Sequence, residues 1–523
     1  MARFRNPILP GSHPDPSICR AGDDYYLVTS TFEYFPGLPV HHSRDLVHWR
    51  PIGHVLDRPS QLALDGVRAS GGLYAPAIRH HEGTFYVTCT AIDTRPSGSF
   101  VVTATDPAGP WSEPAWLAGA DGFDPSLFFD ADGTAWYVAC RPVRRPARPG
   151  QTEVWLRRLD LSRVALTGRR HVIWTGALAN AVWAEGPHLY RVDGRYYLLC
   201  AEGGTEHDHA VTVARSDRVT GPYEGSTRNP VLTHRHLGRG HPVVGTGHAD
   251  LVETPGGEWW AVLLAMRPYG GGYAYNLGRE TFLAPVAWED GWPVFCPGVG
   301  QVPLELPGPA LPDHPWPADP ARDDFDTPAL GPAWTVLRTP RDPAWSLAER
   351  PGHLRLRLRP ERLGDRAHVA FVGRRQQHAS FAARAALDFA PARADECAGL
   401  VARRGDAHMG ILVAGTAAGG RAARAVRRVG GDEERLGEVE LAAGPVHLAV
   451  EARGQDYALR VASPPGSWRT LAALDGRFLT PSGAAGDFTG TYVGMYATSN
   501  GRRSTTPADY DWFEYEASAD PPP

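Results

Sequence analysis

Four short segments carry an acid or an imidazole just ahead of an apolar residue: "HPDPSI", "FDPSL", "AEGPHL" and "GHADL". A fifth, "YAPAI", has alanine in that place. Aligned on Ile18, Ile78, Leu127, Leu189 and Leu251, the positions three or four residues earlier are Asp15, Ala75, Asp124, Glu185 and His248. A single aspartate beside proline is ordinarily a turn former. Three carboxylates in phase can do more if their segments converge. Acids sharing one cavity cannot all ionise at their ordinary pKa, because like charges and lost hydration raise at least one. A protonated acid facing an ionised one is what glycosidic hydrolysis requires. One carboxyl protonates the leaving oxygen, and a second deprotonates water or attacks the sugar. The third tunes the acid and holds it in position.

The segments converge only if the chain repeats. Each precedes a stretch with a polar turn, an aromatic pair or near-pair and an apolar run: "GDDYYLVTS", "EGTFYVTCT", "DGTAWYVAC", "DGRYYLLCA" and "GGEWWAVLL". The second aromatics, Tyr26, Tyr86, Tyr137, Tyr197 and Trp260, are 60, 51, 60 and 63 residues apart. A unit of this length built from short strands fits a β-propeller blade. Five units predict five blades over residues 8–300. The first strand of each blade lines the axis, so Asp15, Asp124, Glu185 and His248 are expected around one funnel, with Ala75 leaving room on one side. The prolines beside Asp15 stiffen the backbone that aims it. A β-sandwich with chance aromatic strands is the alternative.

Other residues suit a sugar. Phe32 and Tyr34 follow the first aromatic strand, and Tyr74 precedes Ala75. Aromatic faces pack on the C–H faces of sugar rings, although each ring could equally be blade packing. Arg279, in "NLGRETFL", could bond sugar hydroxyls, orient a carboxylate or form a structural salt bridge. Glu206 and His209 follow the fourth aromatic strand and receive no firm role.

The bulk composition narrows the class. The 523 residues include 58 glycines, 48 prolines, 16 tryptophans and 18 tyrosines, which favours an all-β chain of two domains. A formal charge of −5 gives no case for nucleic acid or an anionic membrane. All 53 basic residues are arginine, which excludes a Schiff-base or P-loop lysine. Six cysteines without a C-x-x-C pair predict free, mostly buried thiols. The start, "MARFRNPILP", lacks the apolar core of a secretory signal, and no stretch approaches ~18 apolar residues. A cytoplasmic protein is expected, and the Ala-, Arg-, Gly- and Pro-rich usage suggests a high-GC bacterial genome. Its expected partner is an oligosaccharide, with no nucleic acid and no membrane; a homo-oligomer is allowed.

Seven prolines between Pro303 and Pro320 mark a stiff, extended segment. The expected division is a catalytic propeller over 1–305, a linker over 306–322 and a second domain over 323–523. In the last part "GHLRLRLRP", "VHLAVEA" and "YALRVAS" alternate apolar and polar residues, as half-buried strands do. The tail from "GTYVGMYATSN" to "DYDWFEYEA" reads as two more strands joined by a polar loop. An antiparallel β-sandwich of jelly-roll type is expected there.

These motifs, taken in order, resemble glycoside hydrolase family 43 β-xylosidases. The stretch "NPILPGSHPDPSICRAGDDYYLVTSTFEYFPGLPVHHSRDLVHW" looks like their opening, and "GGLYAPAIRHHEGTFYV", "FDPSLFFD", "AEGPHLYRVDGRYYLL", "GHADLVETPGGEWW" and "LGRETFL" continue it. The resemblance implies an inverting mechanism with Asp15 as general base, Glu185 as general acid and Asp124 as the group that raises and orients the acid. It implies substrate contacts at Phe32, Tyr74, His248 and Arg279. In the family the second stacking position is often tryptophan, where this chain has Tyr74. No cofactor is implied for the chemistry, but His248 could hold Ca2+ or another divalent ion through water. The second domain is similar to the family's concanavalin-like domain, a loop of which caps the funnel and makes it a pocket for chain ends. The implied activity is exo-release of xylose from the non-reducing end of β-1,4-xylo-oligosaccharides. An α-L-arabinofuranosidase, or dual activity, is the alternative on the same scaffold. A retaining, invertase-like hydrolase and a non-catalytic sugar-binding propeller are the more distant readings.

Overall fold

Five tight turns set the blades. Gly22, Gly83, Gly133, Gly194 and Gly257 lie between the first and second strands of successive sheets, with φ from 64° to 83°. Only glycine takes that conformation without a steric penalty. Glu82 and Asp193 precede two of these glycines at φ 48°, so both residues of those two-residue loops are left-handed, as the tightest hairpin turn requires.

The computed structural model describes residues 3–177, 182–481 and 487–518. Among these the regular structure is strand, apart from two 3-10 turns at Arg235–Leu237 and Gly476–Leu479. Five antiparallel sheets of four or five strands form the first part of the chain. Their leading strands are Ser17–Ala21, Ala77–His81, Phe123–Phe129, Glu185–Val192 and Val244–Glu253. Each touches the next, and the fifth touches the first, which closes a five-bladed propeller. The amino-terminal segment secures the closure: Leu9 bridges to Thr281, and Asn6 donates to Leu283 O at 2.9 Å.

A buried charge knot joins four blades near the axis. Asp250, fully buried, accepts from Ser17 Oγ at 2.6 Å, from Tyr190 Oη at 2.6 Å and from Arg79 Nη1 at 2.8 Å. Arg79 Nη2 also lies 2.8 Å from His188 Nδ1. Burial raises the Asp250 carboxyl, but Arg79, His188 and the hydrogen bonds outweigh it and keep it ionised. A buried carboxylate is tolerable only with its oxygens satisfied in this way.

Two eight-stranded sheets make a β-sandwich from the rest of the chain. The alternating segments of the sequence become strands Leu354–Arg357, Val446–Arg453 and Asp456–Ala462. The tail supplies Tyr492–Thr498 to one sheet and Pro507–Ala517 to the other. The propeller itself contributes an edge strand to the sandwich: Tyr34 and Phe35 pair with Leu337 and Val336. One apolar core therefore runs from Val28, Phe35 and Leu73 of the propeller to Val336, Val372 and Leu400 of the sandwich. All six cysteines are free and buried.

Candidate active site

A cavity of about 530 Å³ opens at the propeller axis. Asp15, Asp124, Glu185, His248, Arg279, Phe32, Tyr74 and Ala75 all line it. Side chains as far apart in sequence as Asp15 and Arg279 are thus brought to one place.

The backbone aims the acids in a common way. Asp15, Asp124 and His248 have φ of 55°, 49° and 49°, a region that non-glycine residues rarely occupy. The equivalent residue of the fourth blade is Gly186, at φ 54°, and Glu185 precedes it by one position. This explains why Glu185 lies four residues before its apolar marker and the others three. Pairing slips by one residue between Phe123 and Ser126, between Glu185 and His188 and between Gly247 and Asp250. Such bulges re-aim side chains beside active sites. Gly186 has a second constraint, because a Cβ there would lie 2.9 Å from the His248 ring.

The three carboxyls differ in charge. Asp15 is buried, which raises its pKa, but Arg279, His248 and the Ser30 hydroxyl together hold it below the usual carboxylate range. Arg279 Nη1 donates to Asp15 Oδ1 at 2.6 Å, and Ser30 Oγ donates to Oδ2 at 2.6 Å. Asp124 has no such cation on it. Burial, then the Asp15 charge, push it up to about 8. Glu185 is pushed well up by lost hydration, then by Asp124, then by Asp15. Asp124 and Glu185 therefore titrate as a pair that keeps a proton at neutral pH, while Asp15 stays ionised. His248 Nδ1 stands 3.9 Å from Asp15 Oδ1, and burial keeps the imidazole neutral.

An aromatic triangle completes the deep end. Phe32 and Tyr74 meet edge-on at 5.7 Å, and Phe488 of the sandwich lies 5.8 Å from each. Arg279 sits over Phe32 and Phe488, and its Nη1 also donates to Thr205 Oγ1 at 3.0 Å. Tyr34, which the sequence offered beside Phe32, points elsewhere. It stacks on Tyr492 at 3.8 Å and accepts from Arg403 at 2.7 Å between the two domains. The left-handed turn at Phe32, φ 53°, separates the two rings. Glu206 lines the cavity and accepts from Tyr275 Oη at 2.7 Å, whereas His209 is buried behind it.

Sequence reasoning missed Phe488, Asp487, Arg68 and Trp183, which also line the cavity. Phe488 and Asp487 come from the second domain and carry no repeat signal. Trp183 stands two residues ahead of Glu185 in "VWAEG", a position that could have been noticed.

A divalent ion at His248 would have to be held through water, because the carboxylates beside the ring are already engaged. Calcium takes about six to eight oxygen ligands. The two carboxylates that act on His248 are already held by arginines, Asp15 by Arg279 and Asp250 by Arg79. Among the described residues no group of three or more His, Cys, Asp or Glu side chains is disposed to hold a metal ion.

A propeller funnel with an ionised acid opposite a protonated pair, walled by aromatic rings, defines a glycoside hydrolase. The family description "Glycosyl hydrolases family 43" matches residues 4–293, and "Beta xylosidase C-terminal Concanavalin A-like domain" matches 322–516. The chain belongs to glycoside hydrolase family 43. It is 43% identical to a xylosidase/arabinosidase of Butyrivibrio fibrisolvens, over 99% of this chain and 100% of the relative. It is also 43% identical to a non-reducing end alpha-L-arabinofuranosidase of Bacteroides ovatus, over 98% of this chain and 94% of the relative. Among solved structures it resembles a xylan beta-1,4-xylosidase from Bacillus halodurans, with TM-score 0.93 and 38% identity over 98% of this chain and 100% of that one.

Proposed function

We propose that the protein is an inverting, exo-acting glycosidase that releases xylose from the non-reducing end of β-1,4-xylo-oligosaccharides. The observation that carries this reading is the split in charge state, with Asp15 held ionised by Arg279 while Asp124 and Glu185 retain a proton. Asp15 takes a proton from the attacking water as the water adds to the anomeric carbon. Glu185 gives its proton to the glycosidic oxygen as the C–O bond breaks. Asp124 raises the acid and, beside the Gly186 amide, orients it. Phe32, Tyr74 and Phe488 pack against the terminal sugar, and Arg279 and His248 flank it. The sandwich residues at one side of the cavity favour a chain end over a chain middle.

The two proton transfers need only these carboxyl side chains, and a divalent ion held at His248 through water is not required for them. Chelator treatment is expected to leave turnover unchanged. Loss of activity restored by calcium would overturn this. Short oligomers taken up into a bacterial cytoplasm are the proposed substrate pool, and cell fractionation tests the location.

A second sugar has specific support. A relative of 43% identity is named an alpha-L-arabinofuranosidase, and Tyr74 is a narrower ring than tryptophan at the pocket wall. Hydrolysis of nitrophenyl xyloside and nitrophenyl arabinofuranoside compares the two. Anomer-resolved NMR on xylobiose tests the mechanism: α-xylose is expected first, and β-xylose first would overturn inversion.

A further inference from the structure

The cavity has two aromatic ends. Phe32, Tyr74 and Phe488 gather beside Arg279 and Asp15. Phe123 and Trp183 form the other end, each next to an acid of the protonated pair. Phe123 adjoins Asp124, and Trp183 stands two residues ahead of Glu185. Their ring centroids are 6.5 Å apart.

Trp183 is an unusual residue to find in the open. It is 38% exposed, one of few large apolar side chains left so accessible among the described residues. Its φ of 54° is an outlier for a bulky residue and must be imposed by its surroundings. Two glycine backbones do so. The Trp183 amide donates to Gly150 O at 2.7 Å, and Gly203 N donates to Val182 O at 2.8 Å. A Cβ on Gly150 would lie 3.2 Å from Trp183 Nε1, and one on Gly204 would lie 3.4 Å from Cδ1. The pyrrole edge of the indole is therefore seated between two loops that carry no side chain there, and the remainder borders the cavity.

The general acid must stand beside the leaving oxygen, so the departing group extends towards Glu185. We propose that Trp183 is the stacking platform for the leaving-group sugar. It selects substrates whose departing portion is itself a pyranose ring over those with a small leaving group. This rests on the glycosidase reading above. A sugar ring presents C–H groups on its face, and an indole held in the open by enforced backbone offers the matching apolar surface. Glu206, on the loop that seats the indole, is placed to accept from hydroxyls of the same ring.

The test compares xylobiose with β-xylosyl fluoride, whose leaving group has no ring to stack. Trp183→Ala should lower the ratio of kcat/KM for xylobiose to that for the fluoride about tenfold, chiefly through KM for xylobiose. A tenfold change corresponds to about 1.4 kcal/mol of lost contact. Trp183→Phe, which keeps an aromatic face, should recover most of the ratio. An unchanged ratio in Trp183→Ala, whether both activities fall together or neither falls, overturns the platform. Wild-type turnover of the fluoride is measured first. Its absence would overturn the xylosidase reading and this inference with it, whereas an active wild type with an unchanged ratio overturns this inference alone.

Discussion

Arg279 grips Asp15 with both terminal nitrogens, Nη1 to Oδ1 at 2.6 Å and Nη2 to Oδ2 at 3.4 Å, and both residues are about 95% buried. The pair does two jobs. It keeps the proposed base ionised in a cavity whose low polarity would otherwise protonate it. It also partly neutralises the charge that raises Asp124 and Glu185, since Arg279 pulls both of them down.

Removing the cation should therefore move the acidic limb of the pH–rate profile. With the guanidinium gone, burial acts on Asp15 against only its histidine neighbours and the Ser30 hydroxyl, and its pKa climbs. Arg279→Met should lose activity at mildly acidic pH first and recover part of it as pH rises. A profile with its acidic limb unmoved would show that Asp15 does not titrate there.

Asp124 should control the alkaline limb. Its charge is the largest electrostatic influence raising Glu185 after lost hydration. Asp124→Asn removes that charge, so Glu185 loses its proton at lower pH and the alkaline limb shifts down. Folding stability follows the same proton. Between the unfolded carboxylate pKa of about 4 and the folded value of about 8, the native state binds the extra proton. Stability therefore falls as pH rises through this range. Asp124→Asn should flatten that fall, which urea unfolding at pH 5 and pH 8 measures.

The second domain should matter to substrate binding. Phe488 supplies one ring of the deep aromatic triangle, and its amide donates to Ser70 Oγ of the propeller at 2.9 Å. Phe488→Ala deletes contact surface without touching an acid. KM for short oligosaccharides should rise roughly tenfold, as expected for one lost aromatic contact, while kcat changes less. An unchanged KM would place substrate away from this ring.

The axial knot should hold the propeller shut. Asp250→Asn leaves the Arg79 guanidinium buried without its counter-charge. Breaking a buried pair in this way costs about 3–5 kcal/mol. The midpoint of chemical unfolding is the measurement, and a loss below about 1 kcal/mol would mean that the pair behaves like one at the surface.

Much of the architecture was legible from the chain. Turn glycines, aromatic pairs and apolar runs recur because every blade solves the same local problem of a tight reversal followed by a buried strand. That recurrence was enough to number the blades and to bring Asp15, Asp124, Glu185 and His248 into one ring. The one-residue offset of Glu185 was visible, but its cause, the bulge that gives Gly186 the left-handed position, was not. Tyr34 turned out to be packing between the domains because the chain turns at Phe32, φ 53°, which no local pattern announced.

What the sequence determined by itself is local and periodic: strand pattern, turn positions and the phase of the acids, all of which depend on near neighbours. Only the tertiary structure decided which acid is charged, which ring lines the cavity and that Phe488 reaches the propeller. Those properties depend on distances between residues far apart in the chain. A carboxyl takes its pKa from the charges and water around it, and no spacing in the sequence encodes that Arg279 lands on Asp15 and not on Asp124.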